Sequence, residues 1–123
     1  MRYLTDRKRA MGKGAAGTGT ETHWYMTVSA VALAFMIPTW LYVFGSALGG
    51  TRAEVVAIFA RPFPALLTAL VIFVGMRHFA KGATTLIEDY AHGTTRKALI
   101  ILAISISYAV IATGFYALIR IAI

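Results

Sequence analysis

The sequence has no cysteine at any of its 123 positions. Disulfides, cysteine-held iron–sulfur clusters and a thiol nucleophile are therefore excluded within the chain. Charge is scarce as well: charged residues make up 14% of the chain, and only five of them are acidic. A soluble domain of this length needs a polar shell. With 59% hydrophobic residues and a mean hydropathy of +0.70, this chain has too few polar residues to build one.

The apolar residues are grouped in long blocks. No Asp, Glu, Lys or Arg occurs from Thr22 to Thr51, from Pro62 to Met76, or from Ala98 to Ile119. A membrane-crossing helix needs about 20 mostly apolar residues. The first and third blocks meet that length, and the second does so with the residues that follow it. The fold class read from this pattern is an all-α membrane protein of three transmembrane helices. The first block is about twice the length of a signal-peptide core, which is typically about 7–15 residues. It is therefore read as a span and not as a cleaved address.

Formal net charge is +7, and five of the twelve basic residues (Arg2, Arg7, Lys8, Arg9 and Lys13) precede the first span. A basic arm beside a membrane helix sets topology and meets anionic head groups. The lipid membrane, and no nucleic acid, is thus the partner that the charge implies. Residues 1–22 are read as a loose basic arm on the cytoplasmic side, with Gly12, Gly14, Gly17 and Gly19 loosening it. The remainder, 23–123, is the transmembrane domain, with helices over about 24–48, 64–88 and 95–119. Trp24 and Tyr25 begin the first at an aromatic belt, and Pro38 is expected to kink it. Gly45, Gly49 and Gly50 end that helix, and Pro62 and Pro64 break the chain before the second. Arg96 and Lys97 share the side of the arm, while Arg52, Arg61 and Arg120 lie on the other. By the positive-inside rule the N-terminus and the second loop face the cytoplasm, and the C-terminus faces out. Three such helices leave polar groups facing outward, so other membrane subunits are expected beside them.

Chemistry concentrates in the second span. Ionisable residues inside a membrane helix carry a high desolvation cost and mark candidate sites. Here they are Arg77, His78, Lys81, Glu88 and Asp89. At 100° per residue, His78, Gly82, Thr85 and Asp89 form one stripe, and Arg77, Lys81, Thr84 and Glu88 the adjacent one. His78 has two readings: an imidazole hydrogen-bonded between helices, or an axial haem ligand. Gly82, one turn on, would let a flat macrocycle approach the backbone, although glycine is also common where membrane helices pack. Arg77 and Lys81 could pair with haem propionates or extend to head groups. Asp89 and Tyr90 follow His78 by about 16–18 Å along the axis. A tyrosine hydroxyl donating to a carbonyl, oriented by a neighbouring acid, suits a quinone pocket. An interfacial tyrosine beside a helix-terminal acid is the plainer alternative. His92 and His23 are read as surface or site-edge residues.

The run His78-Phe-Ala-Lys-Gly82-Ala-Thr-Thr-Leu-Ile-Glu-Asp89-Tyr90 resembles the smaller hydrophobic membrane anchor of bacterial succinate dehydrogenase. That family has a histidine, a glycine four residues later, and Asp-Tyr at eleven and twelve, and all four positions match. The arm from Arg2 to Arg9 and the Gly/Ala stretch before Trp24 look like the alphaproteobacterial form. The resemblance implies that His78 is one axial ligand of a haem b, its iron shared with a histidine of a second anchor, the cytochrome b subunit. It implies that Tyr90 hydrogen-bonds ubiquinone with Asp89 as supporting acid. It also implies an iron–sulfur subunit and a flavoprotein subunit as partners in succinate oxidation, with electron transfer to ubiquinone at this chain's cytoplasmic edge. The chain would not catalyse alone. Three rivals remain on the residues themselves: a diheme cytochrome b or related quinol-linked anchor using His78 and His92, a transporter lined by Arg77, Lys81 and Glu88, and a haem-free packing subunit.

Overall fold

The structure is a computed structural model that describes residues 3–12, 14 and 19–123. Arg2, Lys13 and Gly17 of the arm lie outside the described residues. The elements are α1 (Asp6–Met11), α2 (Gly19–Ala47), α3 (Arg52–Phe59), α4 (Pro62–Tyr90) and α5 (Gly93–Ala122). Among the described residues every element is a helix, and α2, α4 and α5 are each long and apolar enough to cross a membrane.

The three spans are longer than their apolar blocks. Helix α2 starts at Gly19, ahead of the aromatic pair, because Thr20-Glu21-Thr22 contains no breaker and Glu21 suits the positive N-terminal end. It continues through Pro38, whose missing N–H withdraws the usual donor from Ala34 O. One residue on, Thr39 Oγ1 donates to Phe35 O at 2.8 Å. Helix α4 starts at Pro62, two residues earlier than the proline pair suggests, since a first-turn N–H has no helical acceptor to lose. Within the arm, Thr5 Oγ1 accepts from Lys8 N at 3.3 Å and starts α1.

Helix α3 has no counterpart in the apolar pattern. Thr51 and Glu54 form a reciprocal capping box, with Thr51 N donating to Glu54 Oε2 at 2.7 Å. That hydrogen bond, together with the one from the Thr51 hydroxyl, lowers the Glu54 carboxyl pKa from its ordinary value. Gly49, at φ +80°, makes the turn into this segment, a conformation that glycine adopts without strain. Helix α3 packs against α2, α4 and α5.

Helix α4 is the centre of the assembly. Both α2 and α5 pack on it, and among the described residues they do not touch each other. The α2 face turned inward carries Tyr25, Ser29, Leu33, Met36, Trp40, Val43 and Ala47, a 3.6-residue period. Trp40 Nε1 donates to Thr68 Oγ1 of α4 at 3.1 Å, and Thr68 in turn donates to Pro64 O at 2.7 Å. On α5 the inward face is small: Ala103 and Ser107 are buried, and Gly114 admits Ile72 of α4. Small residues let membrane helices approach closely where no hydrophobic effect drives them together. Among the described residues the buried apolar ones are Ala47, Pro64, Leu67 and Ala103, while Phe35, Tyr42 and Tyr116 stand well exposed.

Candidate functional site

The two polar stripes of α4 face different neighbours. His78 and Gly82 turn toward α2. His78 Nδ1 lies 2.6 Å from Ser29 Oγ, and Ser29 is buried. The position that a Cβ on Gly82 would take faces Met26 Cε at 3.5 Å. Gly82 thus lies where α2 and α4 approach, and a flexible methionine covers it.

Arg77 and Lys81 turn the other way, into a cleft between α4 and α5. The cleft holds about 280 Å³ and is walled by Thr84, Ser107, Tyr108 and Ile111, among others. The Arg77 guanidinium carbon stands 5.9 Å from the centre of the Tyr25 ring, a cation–π distance. Arg77 is therefore flanked by an aromatic from α2 and another from α5. Neither Arg77 nor Lys81 has a carboxylate partner, since the one ion pair among the described residues is Arg9–Asp6. Thr84 and Ser107 each donate their hydroxyl to a carbonyl of their own helix at 2.8 Å.

Glu88, Asp89 and Tyr90 form the last turn of α4, and all are exposed, Tyr90 at 80%. A helix of 29 residues spans about 43 Å, against about 30 Å of hydrocarbon. Measured from Pro62, the hydrocarbon ends near Lys81 and Gly82, so His78 lies inside it and the Asp89-Tyr90 end projects beyond. Tyr90 follows His78 by about 18 Å of axial rise. Ala91 and His92 alone separate α4 from α5, and Gly93 at φ +62° completes the reversal. Because α4 ends at Tyr90, His92 does not share its face with His78; it is the exposed residue preceding α5.

The sequence singled out His78, Gly82, Arg77, Asp89 and Tyr90. The structure brings His78 and Gly82 to one helix contact, Arg77 to a second, and Asp89 with Tyr90 to the helix end. Ser29, Met26 and Tyr108 complete these surroundings and were not anticipated. Their sequence signal is weak. Ser29 is a polar residue in an uncharged run, four positions after Tyr25 on one helix face, and Tyr108 sits at the centre of the third apolar block.

Among the described residues no three His, Cys, Asp or Glu side chains gather to hold a metal. An axial haem ligand needs only one imidazole from each chain, and His78 is the half-buried histidine within a span, whereas His23 and His92 are exposed at helix ends. The donor set fits a haem shared with another subunit and does not fit a metal centre built from this chain alone.

These features define a multi-pass, all-helical membrane anchor that works beside other subunits. The chain belongs to the succinate dehydrogenase/fumarate reductase transmembrane subunit family, whose model matches residues 1–113. It is 52% identical over 120 residues to the succinate dehydrogenase hydrophobic membrane anchor subunit of Paracoccus denitrificans, covering 98% of this chain and 93% of that one. No solved structure matches it.

Proposed function

We propose that this chain, as a membrane anchor subunit of succinate dehydrogenase, supplies His78 as one axial ligand of a haem b and Tyr90, supported by Asp89, to a ubiquinone site. The observation that carries the reading is the division of α4. A single half-buried imidazole lies inside the hydrocarbon, and an exposed acid–tyrosine pair stands about 18 Å away at the projecting end of the same helix. A b-type haem supplies one-electron redox chemistry. The chain's own contribution is to hold one ligand in an apolar setting and to offer quinone a hydrogen-bond donor at the membrane edge. Arg77 is the cation nearest in sequence to His78 and is suited to an acidic substituent of the macrocycle. At Gly82 only the flexible end of Met26 covers the backbone, so a flat macrocycle would have that side chain to displace.

The second haem ligand would come from a partner anchor, since His23 stands exposed in the first turns of α2 and His92 lies outside the helices. The projecting ends of α2, α4 and α5 give an iron–sulfur subunit a place to seat, and that subunit receives electrons from a flavoprotein subunit. The distribution of Arg7, Lys8, Arg9, Arg96 and Lys97 against Arg52, Arg61 and Arg120 supports a cytoplasmic N-terminus in a bacterial inner membrane.

The test is a reduced-minus-oxidised spectrum of the purified complex with and without His78→Ala. Loss of a low-spin b-type signal in the variant is the expected result. A full signal in the variant would remove His78 from the iron.

A further inference from the structure

Ser29 is buried at 5% exposure, and its hydroxyl has two partners. Met26 O lies at 3.2 Å and His78 Nδ1 at 2.6 Å. A hydroxyl carries one proton, and a carbonyl only accepts. If Ser29 donates to Met26 O, the contact with His78 needs its proton on Nδ1. That assignment satisfies both contacts. The reverse, in which Ser29 donates to Nδ1, leaves the carbonyl contact without a proton and puts the imidazole hydrogen on Nε2. Water cannot relieve the pair, because both residues sit in the α2–α4 contact inside the hydrocarbon.

We infer that Ser29 is a positioning residue for His78: it accepts the Nδ1 proton and leaves Nε2 as the nitrogen free to bind iron. The inference rests on the haem reading given above. A neutral imidazole binds metal through its unprotonated nitrogen, and the partner of the other nitrogen fixes which one that is. An acceptor at Nδ1–H also strengthens electron donation by the ligand, and losing such a partner commonly weakens metal binding by about 10–100-fold. Ser29 therefore ties the α2–α4 packing to the state of the ligand.

The experiment compares wild type, Ser29→Ala, Ser29→Thr and His78→Ala in the intact complex, reading haem per complex and its midpoint potential by spectroscopic redox titration. Ser29→Ala weakens donation to the ferric state, so the potential rises. A shift of about tenfold in the ferric-over-ferrous preference corresponds to about 59 mV for a one-electron couple. Ser29→Thr keeps the hydroxyl and restores the wild-type value. A purely packing role would lower the yield of complex without moving the potential of the haem that remains.

If His78→Ala loses the signal while Ser29→Ala keeps both wild-type potential and wild-type occupancy, this inference fails and the ligand assignment stands. If His78→Ala keeps a full signal, both fail. Should Ser29→Ala lose haem altogether, return of the signal in Ser29→Thr supports the inference and its absence overturns it.

Discussion

At the residue scale, the polar side chains of α4 separate into groups that structure the protein and groups left open. Thr68 belongs to the first: its hydroxyl donates a hydrogen bond to Pro64 O and accepts one from the indole N–H of Trp40. Thr68→Val keeps the shape and leaves the indole without its partner. The expected loss is about 1 kcal/mol, in the range measured for hydrogen bonds between membrane helices. A lowered thermal midpoint of the detergent-solubilised complex, with an unchanged haem spectrum, checks it. Tyr90 belongs to the second group, since its side chain is exposed and has no hydrogen-bond partner among the described residues. Tyr90→Phe deletes only the hydroxyl. Electron transfer from succinate to ubiquinone is expected to fall about tenfold or more, as for loss of one catalytic hydrogen bond. Transfer to a soluble dye acceptor on the flavoprotein side should stay unchanged. Equal losses in both assays would mean that Tyr90 supports assembly and not quinone.

At the element scale, helix contacts are set by where small residues stand. A Cβ on Gly114 would come 2.8 Å from Ile72 Cδ1 and 3.3 Å from Ile72 Cγ2, and a β-branched side chain has little rotamer freedom to withdraw. Gly114→Ala is expected to destabilise the α4–α5 pair by about 1–3 kcal/mol, the usual range for overpacking. Gly75→Ala, whose methyl would meet Leu33 Cδ2 at an ordinary 3.9 Å, should change thermal stability little. Equal effects of the two substitutions would reject the steric account. The same scale shows what the sequence disclosed. The spans were legible because uncharged blocks have a length scale fixed by the bilayer. Their ends were less so, because helices continue into polar flanks such as Gly19–His23 and the last turn before Tyr90. Helix α3 is hidden although Thr51-Arg-Ala-Glu54 is a capping-box pattern, since the glycines before it and the prolines after it read together as one long break. His78 and Tyr90 stood out by residue type, whereas Ser29 became visible only once α2 lay against α4.

At the scale of the whole molecule, the surface is unfinished. No large side chain among the described residues is fully buried, while Phe35, Leu66, Leu86, Tyr90 and Ile101 are all more than half exposed. Lipid covers aliphatic residues well. Exposed polar groups such as Thr85, Glu88 and Asp89 at the projecting end need protein or water instead. The chain produced alone is therefore expected to be degraded or to aggregate. Co-production with its partner anchor should raise the amount in the membrane several-fold, as read by quantitative blotting of membrane fractions. Equal amounts with and without the partner would show that the three spans suffice.

Helix α4 packs against both α2 and α5, which among the described residues do not pack on each other. This bears on the order in which the protein is made. Each span, as it leaves the ribosome, finds its contact surface on the span beside it in the chain, so no helix waits for a distant one. The exception is α2, which enters the bilayer with Ser29 and the Trp40 indole lacking α4 as their partner. A chain halted at Tyr90 already contains both of the hydrogen bonds that join α2 to α4, and α5 docks afterwards onto a pair that is complete without it.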